Sequence, residues 1–406
     1  MWEPQASKRM LTAMVASPRF RNTTVKRFVR QRDTVAEKQF GAVCVQFSPD
    51  LCYVAFRGTD SSVVGWKEDF NMAFQSPIPS HTEAVAYLRS VAENTDGNLI
   101  LGGHSKGGNL AVYAAAYTDE QTKRRIQRVY SHDGPGFLPQ VLASDEFKSI
   151  SDKIDKTVPQ SSFVGMLLEA QESFRVIKSN RSNIMQHDPF SWETDGCEFV
   201  PVASLTATAG YLDKTLNGWI NGLSESERKR LVDLLFAYVD SQNVANIDEM
   251  LKEKYGKKNI VRALRAVSKE TAETQKFVKQ TIRSLLSLSV KNFPELLGRP
   301  AGSARTHLLP RILSTNSGTT NWSSRIRRIR RSFLRIVGRH CRLGWGRLRF
   351  ASRSPRPPPK FVRPACRPAK GGFPAFFPVH SRAHSASTSS SRVAQLVTKR
   401  TTVCSW

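Results

Sequence analysis

The sequence predicts an α/β fold with a mostly parallel sheet. The apolar run 98–103 (NLILGG) ends in glycines and is typical of a buried strand. A helical pattern over 110–121 follows at once, and residues 128–136 (RVYSHDGPG) are again rich in strand formers. Strand, helix and strand within about 40 residues form a βαβ unit, which requires parallel strands.

Further strands are predicted on both sides of this unit. The β-rich runs 40–47 (FGAVCVQF) and 51–58 (LCYVAFRG) are joined by turn residues at 48–50 and predict a hairpin. Residues 174–180 (FRVIKSN) predict another strand.

Two capping boxes predict where helices begin. Ser80 with Glu83 should start a helix over 82–94, and Ser224 with Glu227 should start a second amphipathic helix. Because amphipathic stretches continue to about residue 297, we expect a C-terminal helical appendage.

These patterns divide the chain into four parts. Residues 1–35 are polar and basic without clear periodicity, so we expect little order there. The α/β domain should span 36–222 and the helical appendage 223–299. Residues 300–406 are expected to form a disordered, basic, Arg/Pro-rich tail.

Charge sets the tail apart from the rest of the chain. The formal net charge is +27, and residues 301–406 hold 22 Lys and Arg, nine prolines and no Asp or Glu. The first 300 residues therefore carry a net charge of only +5. Two interpretations stay open, an RNA- or lipid-binding arm and, as the favoured one, a frameshifted reading. Nucleic-acid binding is expected only through this tail, where aromatic side chains lie among the arginines at Trp322, Phe333, Trp345 and Phe350.

Cysteine usage and hydropathy suggest a location. The six cysteines include no CxxC pair and no zinc-ligand spacing, and we expect no metal and no organic cofactor. No run of 18 apolar residues and no signal-peptide core occurs. These features predict a cytoplasmic protein without a transmembrane segment.

The main chemical signal is residues 103–107 (GHSKG), here called the elbow. A Gly-x-Ser-x-Gly string between an apolar strand and a helix is the arrangement of a nucleophile elbow. The sequence thus predicts an α/β-hydrolase domain with Ser105 as nucleophile. A structural glycine-rich turn is the alternative.

A second segment fits the same chemistry. The run 56–60 (FRGTD), followed by Trp66 and Asp69, resembles the class 3 lipase family together with the extended elbow GHSKGG. The resemblance implies that Thr59, with backbone amides near Lys106, forms the oxyanion site, and that Asp69 is a structural partner. The chain is still more similar to a group of bacterial lipase-like α/β-hydrolases of unassigned substrate. That similarity lies in the blocks GWKEDFNM (65–72), HDGPGF (132–137), SFVGMLLE (162–169) and QHDPFSW (186–192).

The general base should be a histidine that follows Ser105 in the chain. His187 is preferred because it follows a predicted strand and precedes an aromatic residue, Trp192, as the lipase histidine does. His132 is the alternative, whereas His104 lies inside the elbow and should pack beside the turn.

The acid is less clearly marked. Class 3 lipases imply a carboxylate near residues 161–164, where this chain has none. Asp133 ends the strand after the nucleophile helix and is our choice, with a turn-capping role as its alternative. Glu169 and Asp155 are the other options.

These residues predict a serine esterase or lipase-like hydrolase. Its substrate would be an acyl lipid or a small acyl ester, cleaved through an acyl-enzyme. Part of a predicted set of apolar residues should line the acyl pocket, the rest being core: Trp66, Phe70, Phe74, Phe137, Met166 and Leu167. A hydrolase-like scaffold that binds without cleaving is the rival from another class.

Overall fold

A computed structural model describes residues 3–168, 173–242, 246 and 266–296. Its centre is a seven-stranded sheet whose strands lie in chain order. The strands are β1 Thr24–Asp33, β2 Lys38–Ser48, β3 Leu51–Phe56, β4 Asn98–His104, β5 Ile126–His132, β6 Ile154–Pro159 and β7 Arg175–Ile177. A separate two-stranded sheet pairs β8 Thr194–Asp195 with β9 Glu198–Phe199.

In the large sheet, β2 runs opposite to the other six strands. The β1–β2 and β2–β3 pairs are antiparallel, whereas every pair from β3 to β7 is parallel. The predicted α/β fold with a mostly parallel sheet and helices on both faces is confirmed. Because parallel strands share one direction, β3, β4, β5 and β6 bring their carboxyl ends to one edge of the sheet, where ligands usually bind in such folds.

Ten helices of the described ranges surround or follow the sheet. They are α1 Pro4–Ala16, α2 Val63–Asn71, α3 Pro79–Glu93, α4 Lys106–Tyr117, α5 Glu120–Arg125, α6 Pro139–Leu142, α7 Asp145–Lys148, α8 Ala207–Asn221, α9 Glu225–Asp240 and α10 Ala272–Leu296. Short 3-10 turns occur as well, and Asn183–His187 is one of them. None of the described helices is both long and apolar enough to cross a membrane.

The core lies between α4 and the strands it packs against. In β4, Leu99 and Leu101 are fully buried, as are Leu110 and Ala114 of α4. The helix is buried along nearly its whole length, which a run of small residues (AVYAAA) allows because it lets the helix approach the sheet closely. Burial of this kind contributes about 25 cal/mol per Å2 of apolar surface and anchors the elbow at the start of α4.

The expectation of little order in residues 1–35 was wrong. The segment holds α1 and the ten-residue strand β1, which pairs with β2. Eight of the ten β1 residues are exposed, two are half-buried and none is buried, because β1 is an edge strand. Without a buried face there is no alternating apolar pattern to read.

The predicted capping box at Ser80 was also wrong. Helix α3 begins at Pro79, and the side chain that caps it is His81, whose Nδ1 accepts from the Ile78 N–H at 3.2 Å. Ser80 is buried, and its N–H donates to Oε1 of Glu68 at 2.8 Å. Glu83 instead forms an ion pair with Lys38.

The helices after the sheet begin earlier than predicted. The capping box of Ser224 and Glu227 is present at the start of α9. Helix α8, however, starts at residue 207, inside the predicted α/β domain, and packs along α10 through hydrogen bonds from Tyr211 and Trp219 to α10 carbonyls. The predicted tail, 300–406, lies outside the described residues.

Candidate active site

Ser105 occupies a strained position between β4 and α4. It is the N-cap of α4, with φ 59° and ψ −133°, a region that non-glycine residues rarely adopt. Its N–H donates to the His132 carbonyl oxygen at 3.0 Å. A Cβ on Gly103 would meet the backbone of Gly107, and a Cβ on Gly107 would meet the carbonyl oxygen of Phe56. The two glycines thus permit the tight turn, as the motif requires.

The loop after β3 runs directly against the elbow. A Cβ on Gly58 would lie 2.7 Å from the His104 carbonyl oxygen and 3.4 Å from Cβ of Ser105. The loop therefore passes within van der Waals contact of the candidate nucleophile, and Thr59 is the next residue along it.

His187 and Asp133 form a hydrogen-bonded pair. His187 Nδ1 lies 2.6 Å from Asp133 Oδ2, and the carboxylate is fully buried while the imidazole side chain is 14% exposed. Because a carboxylate oxygen accepts, Nδ1 carries the proton and Nε2 carries the ring lone pair. The pair has the tautomer that a general base needs.

Three groups converge on the Asp133 carboxylate. Besides His187, Ser162 donates its hydroxyl to Oδ1 at 2.5 Å and the Gly165 N–H donates to the same oxygen at 3.2 Å. Asp133 itself has φ 50° and follows β5. Its carboxylate therefore bonds to other segments and does not cap the adjacent glycine turn.

Ser162 links this geometry to the class 3 resemblance. It lies in the 161–164 segment where those lipases would carry their acid. Here that position supplies a hydroxyl that holds a carboxylate from the neighbouring strand β5.

The two alternatives to Asp133 as the acid are Asp155 and Glu169. Asp155 lies on β6 and forms an ion pair with Arg175 at 2.8 Å, away from His187. Glu169 lies outside the described residues.

His104 packs beside the candidate base. Its ring centroid is 4.4 Å from that of His187, and its Nε2 donates to the His187 carbonyl oxygen at 2.6 Å. Burial, and to a smaller extent the nearby His187, lowers the pKa of His104 to about 3. His104 is therefore neutral, and its hydrogen bond holds the backbone of His187 against the elbow.

His132 has an apolar environment. Its ring lies 6.0 Å from Trp192 and 6.1 Å from Phe199, and burial lowers its pKa. Nδ1 of His132 makes no hydrogen bond among the described residues. These contacts favour a packing role for the second histidine candidate.

The segment that carries His187 is anchored at several points. Trp192 donates its indole N–H to the Gln186 carbonyl oxygen at 2.8 Å, and Gln186 Oε1 accepts from the Ser161 N–H at 2.9 Å. The buried Asp188 forms an ion pair with Arg181 at 2.7 Å. The imidazole is thereby held by a fixed backbone.

Lys106 of the elbow belongs to a second polar cluster, in which Lys106 and Glu68 are fully buried and Asp69 and Thr59 are partly buried. Lys106 Nζ donates to Glu68 Oε2 at 2.8 Å and lies 3.6 Å from Asp69 Oδ1, while Thr59 donates its hydroxyl to Asp69 Oδ2 at 2.5 Å. Burial raises the pKa of Asp69 to about 6, although Lys106 and Thr59 act to lower it. The Lys106–Glu68 contact could not be predicted from the sequence, because the two residues are 38 positions apart in the chain.

Several predicted pocket residues have other surroundings. Phe137 is buried in the core beside His81, Tyr113 and Phe147, so its assignment to a substrate pocket was wrong. Phe137 follows the turn after β5 and packs against Tyr113 of α4.

Trp66 and Phe70 lie on α2 and pack against α9. The Phe70 ring forms an edge-to-face contact with Phe236 at 5.6 Å, and Trp66 packs on the cluster that contains Phe236, as does Phe74. Helix α9 thus uses these aromatic rings, although Phe70 remains 41% exposed.

Met166 is buried next to Gly165, close to the Asp133 carboxylate. Its carbonyl oxygen accepts from Asn217 of α8 at 2.6 Å. With Leu167, Leu212 and Leu216 it lines a small recess between the 162–167 segment and α8.

Apolar side chains that the sequence reading did not assign to the site flank His187. Ile184, Met185 and Phe190 lie within three residues of it and are all exposed. These three exposed apolar residues, here called the apolar rim, thus lie within the seven-residue segment that carries the candidate base. Across the described ranges, no group of three or more His, Cys, Asp or Glu residues is placed to hold a metal ion.

Comparisons with solved structures give several fungal and other lipases. A Rhizomucor miehei lipase in complex with its propeptide is 18% identical with a TM-score of 0.31, covering 44% of this chain and 64% of that one. The M37 lipase is 14% identical with a TM-score of 0.29, covering 40% and 62%. A lipase from Rhizopus microsporus var. chinensis is 16% identical with a TM-score of 0.29, covering 49% and 69%. The chain thus spans just under two thirds of the length of the first of these lipases.

Family membership comes from the sequence. No curated protein matches the chain. The model of the Mbeg1-like family matches residues 14–237, a range that includes Ser105, Asp133 and His187. Since this range is more than half of the 406 residues, the chain belongs to the Mbeg1-like family.

Proposed function

We propose that the protein is a serine hydrolase that cleaves carboxylic esters, with Ser105 as nucleophile, His187 as general base and Asp133 as the acid that orients it. The observation that carries the proposal is the 2.6 Å bond between His187 Nδ1 and Asp133 Oδ2 beside a strained serine. A serine, a histidine with the correct tautomer and a buried carboxylate are the parts of a catalytic triad.

The first chemical step uses these three groups together. His187 Nε2 takes the hydroxyl proton of Ser105 as Oγ attacks the ester carbonyl carbon. Asp133 stabilises the imidazolium that forms, and its own position is maintained by Ser162 and Gly165. Collapse of the tetrahedral intermediate expels the alcohol, which receives the proton from His187, and leaves an acyl group on Ser105. Water then hydrolyses this ester by the same route.

The negative charge that develops on the carbonyl oxygen needs donors. The Lys106 N–H follows the nucleophile at the start of α4, where the helix dipole favours an anion. Thr59 comes from the loop that contacts the elbow through Gly58. We assign the oxyanion site to the backbone of these two residues.

The apolar rim supports an acyl-ester substrate. Ile184, Met185 and Phe190 present apolar surface on the segment that carries His187, and the buried Met166 follows Gly165, which donates to Asp133. A fatty acyl chain or a small acyl group could pack against this surface, and transfer of each methylene from water contributes about 0.8 kcal/mol. An acyl lipid or a small acyl ester is therefore the proposed substrate class.

A fluorophosphonate probe tests the proposal because it labels only an activated serine. The wild-type protein should be labelled at Ser105, and Ser105→Ala should abolish both labelling and hydrolysis of p-nitrophenyl esters. Ser149→Ala is the matched control, since Ser149 is exposed and far along the chain from the site, and it should be labelled as wild type. A folded wild-type protein that the probe does not label would instead be a binding scaffold.

We also propose that the protein works in a reducing compartment such as the cytoplasm. Cys44 and Cys52 are buried neighbours on β2 and β3 and are both free thiols. Burial, followed by the nearby Cys52, raises the pKa of Cys44 to about 12, so it is an unreactive thiol packed in the core. Mass spectrometry of thiols alkylated in intact cells would test this location.

A further inference from the structure

Lys106, the residue that follows Ser105, has a fully buried side chain. Its Nζ donates to the Gln39 carbonyl oxygen at 2.9 Å, to Gln39 Oε1 at 3.1 Å and to Glu68 Oε2 at 2.8 Å. Both partners of the Lys106–Glu68 pair have no side-chain exposure. An ammonium group with this little solvent is stable only when it is paired and hydrogen-bonded, as it is here.

The same ammonium group reaches the oxyanion loop through one more residue. Asp69 Oδ1 lies 3.6 Å from Lys106 Nζ and makes no hydrogen bond within the described part of the chain. Asp69 Oδ2 accepts the Thr59 hydroxyl at 2.5 Å. Lys106, Asp69 and Thr59 therefore form a continuous polar chain from the elbow to the loop.

The charge on Asp69 decides the direction of the Thr59 hydroxyl. When Asp69 is ionised it can only accept, so the hydroxyl proton points to Oδ2. When Asp69 is protonated it can donate to Thr59 Oγ1, and the hydroxyl proton then turns away from Asp69. One proton on the Asp69 carboxyl thus sets whether the Thr59 hydroxyl donates to Asp69 or accepts from it.

We infer that Lys106 is a positioning residue whose buried ammonium group holds Asp69 in its carboxylate form and thereby fixes the direction of the Thr59 hydroxyl. The inference rests on the proposed oxyanion role of the Thr59 loop. The charged groups that face Asp69 are Lys106 from α4 and Glu68 from its own helix, with Thr59 opposite.

The balance among these groups is close. Burial raises the pKa of Asp69 to about 6, Lys106 and Thr59 lower it, and Glu68 raises it. Because Lys106 acts more strongly than Glu68, removal of both charges should leave Asp69 protonated at a higher pH than in wild type.

Infrared spectroscopy of the full chain can follow this proton without any catalytic activity. The signal is the carboxylic C=O band that Asp69→Asn removes. In wild type the band should grow in only as pH falls to about 6, and at pH 8 it should be absent. In the double variant Lys106→Met/Glu68→Gln, its midpoint should lie at least one pH unit higher, as expected when a close charge is lost.

A kinetic arm tests whether the effect reaches Thr59. The pH profile of kcat on a p-nitrophenyl ester should shift upward with the infrared midpoint in the double variant. Thr59→Val, which keeps the shape but removes the hydroxyl, should abolish that kinetic shift. The single variant Lys106→Arg, which keeps the charge, should have the same infrared midpoint as wild type.

Two results overturn the inference. One is a protonated Asp69 in wild type at pH 8, seen as a carboxylic C=O band that is absent from Asp69→Asn. The other is an unchanged midpoint in a folded double variant. A wild-type protein that no probe labels would refute the proposed hydrolase but leave the infrared result standing, so the two failures are distinguishable.

Discussion

Two hydrogen-bonded pairs, His187 with Asp133 and Lys106 with Glu68, differ in their access to solvent. His187 is 14% exposed above a fully buried Asp133, whereas Lys106 and Glu68 are both completely buried. A group that exchanges protons with a substrate must be reachable, and a group that only holds geometry is better sealed. The difference agrees with the roles proposed above, chemistry for the first pair and support for the second.

The largest effect should come from removing Ser105 or His187, the two residues proposed to react with the substrate. Ser105→Ala and His187→Ala should each lower ester turnover by about 10⁴–10⁶-fold, since the two residues act as one unit. The double variant should be little worse than either single one. Steady-state kinetics on p-nitrophenyl butyrate will measure this, and wild-type turnover by Ser105→Ala would refute the nucleophile.

The next effect should come from Asp133. Asp133→Asn should preserve the fold and lower kcat by about 10⁴-fold, because the amide would favour the wrong imidazole tautomer. Asp155→Asn is the matched control on the neighbouring strand and should stay near wild type, since Asp155 pairs with Arg175. A neutral Asp133→Asn alongside a crippling Glu169→Gln would mean that the acid has been misidentified.

The sealed pair should matter most for stability. Lys106→Met leaves Glu68 buried without its cation, and this should lower the free energy of unfolding by about 3–5 kcal/mol. Lys148→Met removes an exposed ion pair with Asp145 and should cost no more than about 1 kcal/mol. Urea unfolding followed by fluorescence compares the two, and equal losses would argue against the contrast drawn above.

The features that could be predicted from the sequence are those that depend on residues close together in the chain. The elbow needs glycines at fixed offsets, and a strand followed at once by a helix is visible around Ser105. The sheet was readable for the same reason, because buried strands such as β4 are short apolar runs.

What sequence reasoning missed depends on contacts between distant segments. The predicted capping box at Ser80 does not form, and the Ser80 N–H donates to Glu68 instead, because a buried carboxylate needs hydrogen-bond donors. The edge strand β1 has no buried face, and Phe137 is as apolar as a pocket residue would be. Only packing distinguishes these cases.

A smaller effect is expected from the hydroxyl that supports Asp133. Ser162→Ala removes one donor to a buried carboxylate, worth about 1.5–3 kcal/mol, part of which is retained through the Gly165 N–H. Turnover should fall roughly 10-fold, consistent with the lower part of that range. Ser161→Ala, whose hydroxyl bonds to Thr206, is the neighbouring control and should leave turnover unchanged. Equal effects of the two alanines would indicate a general disturbance of this segment.

The smallest effect should follow removal of the basic tail. This change should disturb neither the His187–Asp133 pair nor the Lys106–Glu68 pair. Residues 301–406 contain 22 basic and no acidic residues, and a segment of this composition is expected to add nothing to a folded core. A chain that ends at Arg299 should keep its Tm and its turnover. A chain that ends at Gly222 should be destabilised, because it loses α9 and with it the Phe236 contacts of Trp66 and Phe70 on the helix that carries Glu68. Thermal unfolding and ester turnover of the two truncations, measured together, separate these cases. Loss of folding on removal of the tail alone would show that it is a structural element and that the boundary near residue 300 is wrong.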